Sequence, residues 1–182
     1  SAYKTSYEEV DISNHVTAIK SQLSQNQEII VFDSKNPFNF NDLLYRYKYT
    51  SNQKVYGILT FPKNSKSKNA VIVGVAGSKG WADHHYGYMD RYLDSGFATL
   101  ILHSFDSRNV SSTVGEQVSA TTAMLVHDSY KVLEILSNDK RLDANNIGIT
   151  GWSLGGGVSF FTAWEPIKDV ISPNYTFAAH LP

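Results

Sequence analysis

Residues Gly151, Trp152, Ser153, Leu154 and Gly155 set a serine hydroxyl in a Gly-x-Ser-x-Gly turn. The chemistry such a turn serves is nucleophilic attack on an acyl carbon. Its surroundings, NNIGITGWSLGGGVSFF over residues 145–161, are of the required kind. A short apolar run at 147–150 leads in, and small residues at 155–157 lead out into apolar residues at helical spacing. Such a strand-to-helix turn holds its serine in a strained conformation with the hydroxyl raised above the sheet edge. Gly151 and Gly155 carry no Cβ to collide across it. A helix beginning at Leu154 aims free N–H groups and its positive dipole end at the position of an oxyanion.

A serine of this kind also needs a base, a group to orient the base, and oxyanion donors. The Leu154 N–H is one donor. The other is expected from the loop Gly77-Ser78-Lys79-Gly80, with Ser78 the first choice and Lys79 the second. Downstream of Ser153 the candidates for acid and base are Glu165, Asp169 and His180. A strand-end histidine is more often a hydrogen-bonded structural group than a base. The catalytic Asp and His are therefore expected beyond Pro182. Asp83, His84 and His85 could suggest a metal, but adjacent histidines on a regular element cannot readily face one ion. No metal and no cofactor are expected. A substrate pocket is expected to draw on Lys79, Trp81, His84, His85, Phe105, Arg108 and Trp152, with His103 at the same mouth. Arg108 either reaches a substrate carboxylate through a bidentate pair or is a solvated loop arginine. His15 and His127 read as surface or satisfied helix residues, and Asp128 as an anchor for its helix.

The elements that must position these groups follow from hydrophobic patterning. Residues 1–27 read as a polar N-terminal arm with a short helix near 15–23, and residues 28–182 as one domain. Strands are expected at 29–32, 43–49 and 55–61, the last two forming a hairpin about the turn 50–53. From Ala70 the pattern becomes alternating strands and helices, which predicts a parallel sheet covered on both faces. Its strands are 70–76, 97–102, 147–150 and 175–181. Its helices are 86–93, stopped by Gly96, then 119–136, and one following Ser153. The apolar stripe of the second is Ala123, Val126, Tyr130, Leu133 and Leu136.

Composition narrows the function classes. Sixteen basic and seventeen acidic residues leave a net charge of -1, which offers no footprint for nucleic acid or an anionic membrane. The absence of cysteine excludes disulfides and a thiol nucleophile. With no apolar run near the ~20 residues of a membrane span, the reading is a soluble protein, cytoplasmic or exported after removal of a signal peptide.

The runs at 77–80, 92–102, 104–108, 143–149 and 151–156 together resemble the dienelactone hydrolase family of α/β-hydrolases, over roughly residues 54–181. The resemblance implies an α/β-hydrolase fold: a mostly parallel sheet with helices on both faces, antiparallel N-terminal strands, and a C-terminal part absent after the strand following the elbow helix. It implies Ser153 as nucleophile, the N–H groups of Ser78 and Leu154 as oxyanion hole, and a small ester or lactone as substrate. Ser153 stands where dienelactone hydrolases proper have Cys, which points to a serine esterase. Ala76 stands where relatives often carry His or Glu. Two alternatives are a noncatalytic hydrolase-like binding module or fragment lacking the catalytic Asp and His, and an acyltransferase whose acceptor is not water. An unpaired strand near Pro182 would invite homo-oligomerisation at the sheet edge.

Overall fold

A computed structural model describes residues 7–182, so the first residues of the expected arm lie outside the described residues. The strands are β1 (Gln27–Lys35), β2 (Asn52–Thr60), β3 (Asn69–Val75), β4 (Ala98–Leu102), β5 (Leu142–Gly151) and β6 (Ala179–Leu181). They form one six-stranded sheet in the order β1-β2-β4-β3-β5-β6. β1 and β2 are antiparallel to each other, and β2 is antiparallel to β4. β4, β3, β5 and β6 run parallel. This order has one functional consequence. The chain leaves β3 toward β4 on one side and returns to β5 on the other. The carboxyl ends of β3 and β5 therefore flank a topological switch point, where open α/β sheets leave a crevice.

The helices follow from apolar periodicity and its punctuation. They are α1 (Ser13–Lys20), α2 (Phe40–Tyr45), α3 (Asp83–Asp94), α4 (Thr122–Ser137), α5 (Leu154–Phe161) and α6 (Glu165–Ile171). Val71, Val73 and Val75 of β3 share one core with Met124, Tyr130 and Leu133 of α4, Val158 of α5 and Ile167 of α6. Gly74, the alternate residue, faces the other way. A Cβ there would come within 2.8 Å of Met89 on α3 and 2.9 Å of Trp81. The sheet is thus covered on both faces, as β3's continuous apolar run requires. The expected stripe of α4 is buried throughout, and Met124, Leu125, His127, Asp128 and Ser129 are buried with it. The Thr121 hydroxyl caps that helix by accepting from the Met124 N–H at 3.2 Å. Gly96, at φ +93°, ends α3 where only glycine is unstrained.

Three expectations fail. Residues 43–49 are not a strand but α2 followed by a 3₁₀ turn at Tyr47–Tyr49. Asn39 starts α2 by accepting from the Asp42 N–H at 3.0 Å, and the Asp42 carboxylate accepts from the Phe38 N–H at 2.9 Å. Alternation of Leu and Tyr was outweighed by this local capping, and β2 pairs with β1 instead, in register from Gln27↔Thr60 to Lys35↔Asn52. Second, the one helix expected after Ser153 is followed by another, α6, which carries Asp169 and has Pro166 in its first turn. Third, the final strand holds only three residues, Ala179–Leu181. No described helix is long and apolar enough to cross a membrane.

Candidate active site

Ser153 sits between β5 and α5 at φ +53°, ψ −111°, a region that L-residues enter only when the surroundings hold them there. Those surroundings are glycines at van der Waals limit. A Cβ on Gly151 would lie 2.2 Å from the Gly155 backbone, and one on Gly155 would lie 2.1 Å from the Val75 carbonyl oxygen. The Trp152 N–H donates to that same Val75 oxygen at 3.3 Å, and the Gly155 N–H to the Trp152 oxygen at 2.9 Å. The turn is therefore locked onto the end of β3. Ser153 itself is exposed at the switch point.

The loop leaving β3 abuts this serine. A Cβ on Gly77 would be 3.6 Å from Ser153 Cβ and 3.1 Å from the Trp152 oxygen. The turn closes by a Gly80 N–H to Gly77 carbonyl bond of 2.9 Å, with Gly80 at φ +78°. The Ser78 carbonyl is pinned from outside, accepting from the Thr113 N–H at 2.8 Å and the Ser112 hydroxyl at 3.2 Å. Among the described residues, neither the Ser78 N–H nor the Leu154 N–H has a backbone acceptor. Both peptides lie where the elbow and the β3 loop converge.

An aromatic cluster adjoins the turn. The Trp152 ring stacks on His85 at 4.7 Å between centroids and meets the edge of Trp81 at 5.8 Å. His85 Nδ1 accepts from the Ala82 N–H at 3.1 Å, so any ring proton is on Nε2. Burial, with His84 beside it at 4.1 Å, lowers His85 below the usual imidazole range. No group of three or more His, Cys, Asp or Glu side chains among the described residues could hold a metal ion.

A cavity of about 230 Å³ opens at the ends of β3 and β4, lined by Lys79, Trp81, Tyr86, His103, Phe105 and Asp106 among others. The structure thus divides the expected pocket residues. Lys79, Trp81 and Phe105 line the cavity, whereas Trp152 and His85 pack together beside Ser153, with His84 against His85. Ser153 does not line it, and the turn 77–80 lies between. His103 Nδ1 pairs with Asp106 at 2.8 Å, while its ring stacks on Tyr56 at 5.1 Å. Tyr86 is raised above the usual phenol range, first by burial and then by the Asp106 charge.

Arg108 departs from both readings of the sequence. Its guanidinium is buried and pairs bidentately with Asp128, at 2.7 and 3.0 Å. The remaining donors go to Asn36 Oδ1 at 2.7 Å and to the Ser104 and Lys35 carbonyls at 3.0 Å. All five N–H groups are spent, so nothing remains for a substrate. Arg108 is a structural tie between the loop after β4, the end of β1, and α4. Asp128, read as an anchor, is its partner.

Among the described residues, no histidine or carboxylate is hydrogen-bonded to the Ser153 hydroxyl. His180 Nδ1 lies 2.9 Å from the Thr162 hydroxyl and 3.0 Å from the Ser159 carbonyl, which ties the ring to the far flank of α5. Asp169 is exposed on α6. His127 bridges the Ser34 and Tyr47 hydroxyls, each at 2.8 Å, and is buried. His15 meets Asn109 at 3.0 Å on the surface.

Neither a family model nor a curated protein matches the sequence. Solved structures do. A Klebsiella pneumoniae protein described as a candidate dienelactone hydrolase aligns at TM-score 0.51 and 14% identity, over 84% of this chain and 70% of that one. A dienelactone hydrolase-like promiscuous phosphotriesterase from metagenomic libraries aligns at 0.50 and 17%, over 86% and 61%. Est1E of Butyrivibrio proteoclasticus, solved with ferulic acid bound, aligns at 0.50 and 19%, over 65% and 46%. The chain spans less than two thirds of the length of the last two of these structures. At these identities the likeness is one of architecture, and together with the strand order and the turn at Ser153 it shows that the chain has the α/β-hydrolase fold.

Proposed function

We propose that the chain is the nucleophile-bearing part of a serine hydrolase that cleaves a small carboxylic ester or lactone. The observation that carries this is the backbone of Ser153, held at φ +53° between two glycines that no larger residue could replace. Strain that the surroundings maintain at an exposed hydroxyl is what a nucleophile requires and an ordinary turn does not. In the proposed reaction Ser153 Oγ bonds to the acyl carbon, and the N–H groups of Leu154 and Ser78 hold the oxyanion. The ester C–O bond breaks as the leaving alkoxide takes up the proton lost by the serine. Water then attacks the acyl-enzyme and releases the acid. The base that carries the proton, and the acid that orients it, are proposed to come from outside these 182 residues. Fold likeness to a dienelactone hydrolase-like phosphotriesterase and to a protein holding ferulic acid agrees with acyl or phosphoryl substrates.

A second reading has its own observation. No histidine among the described residues is hydrogen-bonded to the Ser153 hydroxyl, as a noncatalytic module with an architectural elbow would have it. A fluorophosphonate probe separates the two. In the natural protein the hydrolase reading expects a single adduct on Ser153 that disappears in Ser153→Ala. A folded protein that stays unlabelled would favour the binding module.

A further inference from the structure

The turn 77–80 closes through the bond from the Gly80 N–H to the Gly77 carbonyl at 2.9 Å. A glycine at each end leaves such a turn readily deformed. Its middle peptide, between Ser78 and Lys79, is the one whose rotation interconverts turn types I and II. Lys79 does not have the positive φ that a type II turn requires, so the Ser78 carbonyl is held in the other orientation. What holds it comes from a different element, the loop between β4 and α4.

That loop is exposed at 111–112 and again at 114–119, yet Thr113 between them is 0% exposed. The burial lies where the loop meets the turn. The Thr113 N–H donates to the Ser78 carbonyl at 2.8 Å, and the Ser112 hydroxyl donates to the same oxygen at 3.2 Å. The Ser112 hydroxyl also accepts from the Val114 N–H at 3.2 Å, which folds 112–114 into a turn with Thr113 at its centre. A Cβ on Gly80 would lie 3.2 Å from the Ser111 oxygen, so loop and turn are in close contact there too. The loop is itself anchored, on one side by the buried pair of Arg108 with Asp128. On the other, the Glu116 carboxylate accepts from the Val118 and Ser119 N–H groups at 2.8 and 3.0 Å.

The N–H of a trans peptide points opposite to its C=O, and the described residues include no cis peptide. With the Gly77 carbonyl bonded to Gly80 and the Ser78 carbonyl bonded to the loop, the N–H groups of both Ser78 and Lys79 are fixed in direction. These are the two donors that the sequence offers from this turn to an oxyanion on Ser153. We propose that Ser112 and Thr113 are positioning residues of the oxyanion hole, which hold the turn 77–80 from outside in the form that stabilises the tetrahedral intermediate. They act through Ser78, and their effect falls on the chemical step, because donors fixed beforehand need no reorganisation as charge develops. This inference rests on the hydrolase reading of Ser153.

The test is the rate at which a fluorophosphonate labels Ser153 in the natural protein, resolved into the affinity for the probe and the rate constant of the bonding step. Ser112→Ala is expected to slow the bonding step about fivefold, as loss of one hydrogen bond allows, with probe affinity unchanged. Ser112→Thr keeps the hydroxyl and is expected to restore the rate. Ser111→Ala removes a side chain with no part in these bonds and is expected to change nothing. Ser112 is exposed, so its replacement leaves the core closed. Amide exchange at Thr113 follows the strap itself, and is expected to quicken in Ser112→Ala alone. Several results would overturn the proposal while the hydrolase reading stood: labelling of Ser112→Ala at the natural rate, a loss confined to probe affinity, a loss shared by Ser111→Ala, or failure of Ser112→Thr to restore it. A natural protein that stays unlabelled would overturn both.

Discussion

Ser153 bears a conformation that costs on the order of 1–3 kcal/mol, and the Gly151 and Gly155 contacts hold it there. Ser153→Gly is therefore expected to stabilise the chain by about 1 kcal/mol in urea denaturation while removing the reactive hydroxyl. Gly155→Ala places a methyl 2.1 Å from a backbone oxygen that cannot swing aside, and is expected to cost roughly 3 kcal/mol or more in the same measurement. Both residues were legible because glycines at that spacing have a local steric reason. Arg108 was not. Its partners Asp128 and Asn36 lie 20 and 72 residues away, and no local pattern joins them.

At the scale of elements, α4 is tied to its neighbours by a buried polar chain. Tyr47 and Ser34 bond His127 on its two sides, Ser34 donates to Asp128, and Asp128 pairs with Arg108. Removing one partner leaves a buried charge, so Arg108→Ala is expected to cost about 3–5 kcal/mol. Arg108→Met with Asp128→Leu should recover part of that loss. His127 adds a pH dependence. Burial, then the charges of Lys131, Arg108 and Lys35, holds its imidazole well below the usual range, so the folded chain keeps it neutral. The unfolded chain binds a proton near pH 6.5, and stability contributed by His127 is full above that value. It falls as pH drops toward the depressed folded value, by up to about 1.4 kcal/mol per unit. Denaturation midpoints from pH 7.5 to 5 should show this slope, and His127→Gln should flatten it. The strands β3, β4 and β5 and helices α3 to α5 were readable because their apolar periods are long. Residues 43–49 and α6 were not, because seven residues of mixed pattern take their form from a cap, a proline and their neighbours.

For the whole molecule, strand order decides more than any motif. It brings the 77–80 turn, at the end of β3, and Ser153, at the end of the adjacent β5, to one crevice, and leaves β6 with a free outer edge among the described residues. That edge is proposed to take a further strand, from this protein or from a second copy. Sedimentation at rising concentration is expected to show self-association that Leu181→Lys weakens, and unchanged monomer would count against pairing between copies. The lock between Gly155 and Val75 bears also on the order of folding. These residues stand far apart in sequence and meet only across two parallel strands, the slowest kind of contact to close. The serine's backbone geometry is thus not encoded in its own pentapeptide. It is expected to arise late in folding, after β3 and β5 have docked, so that no partly folded chain carries an armed nucleophile.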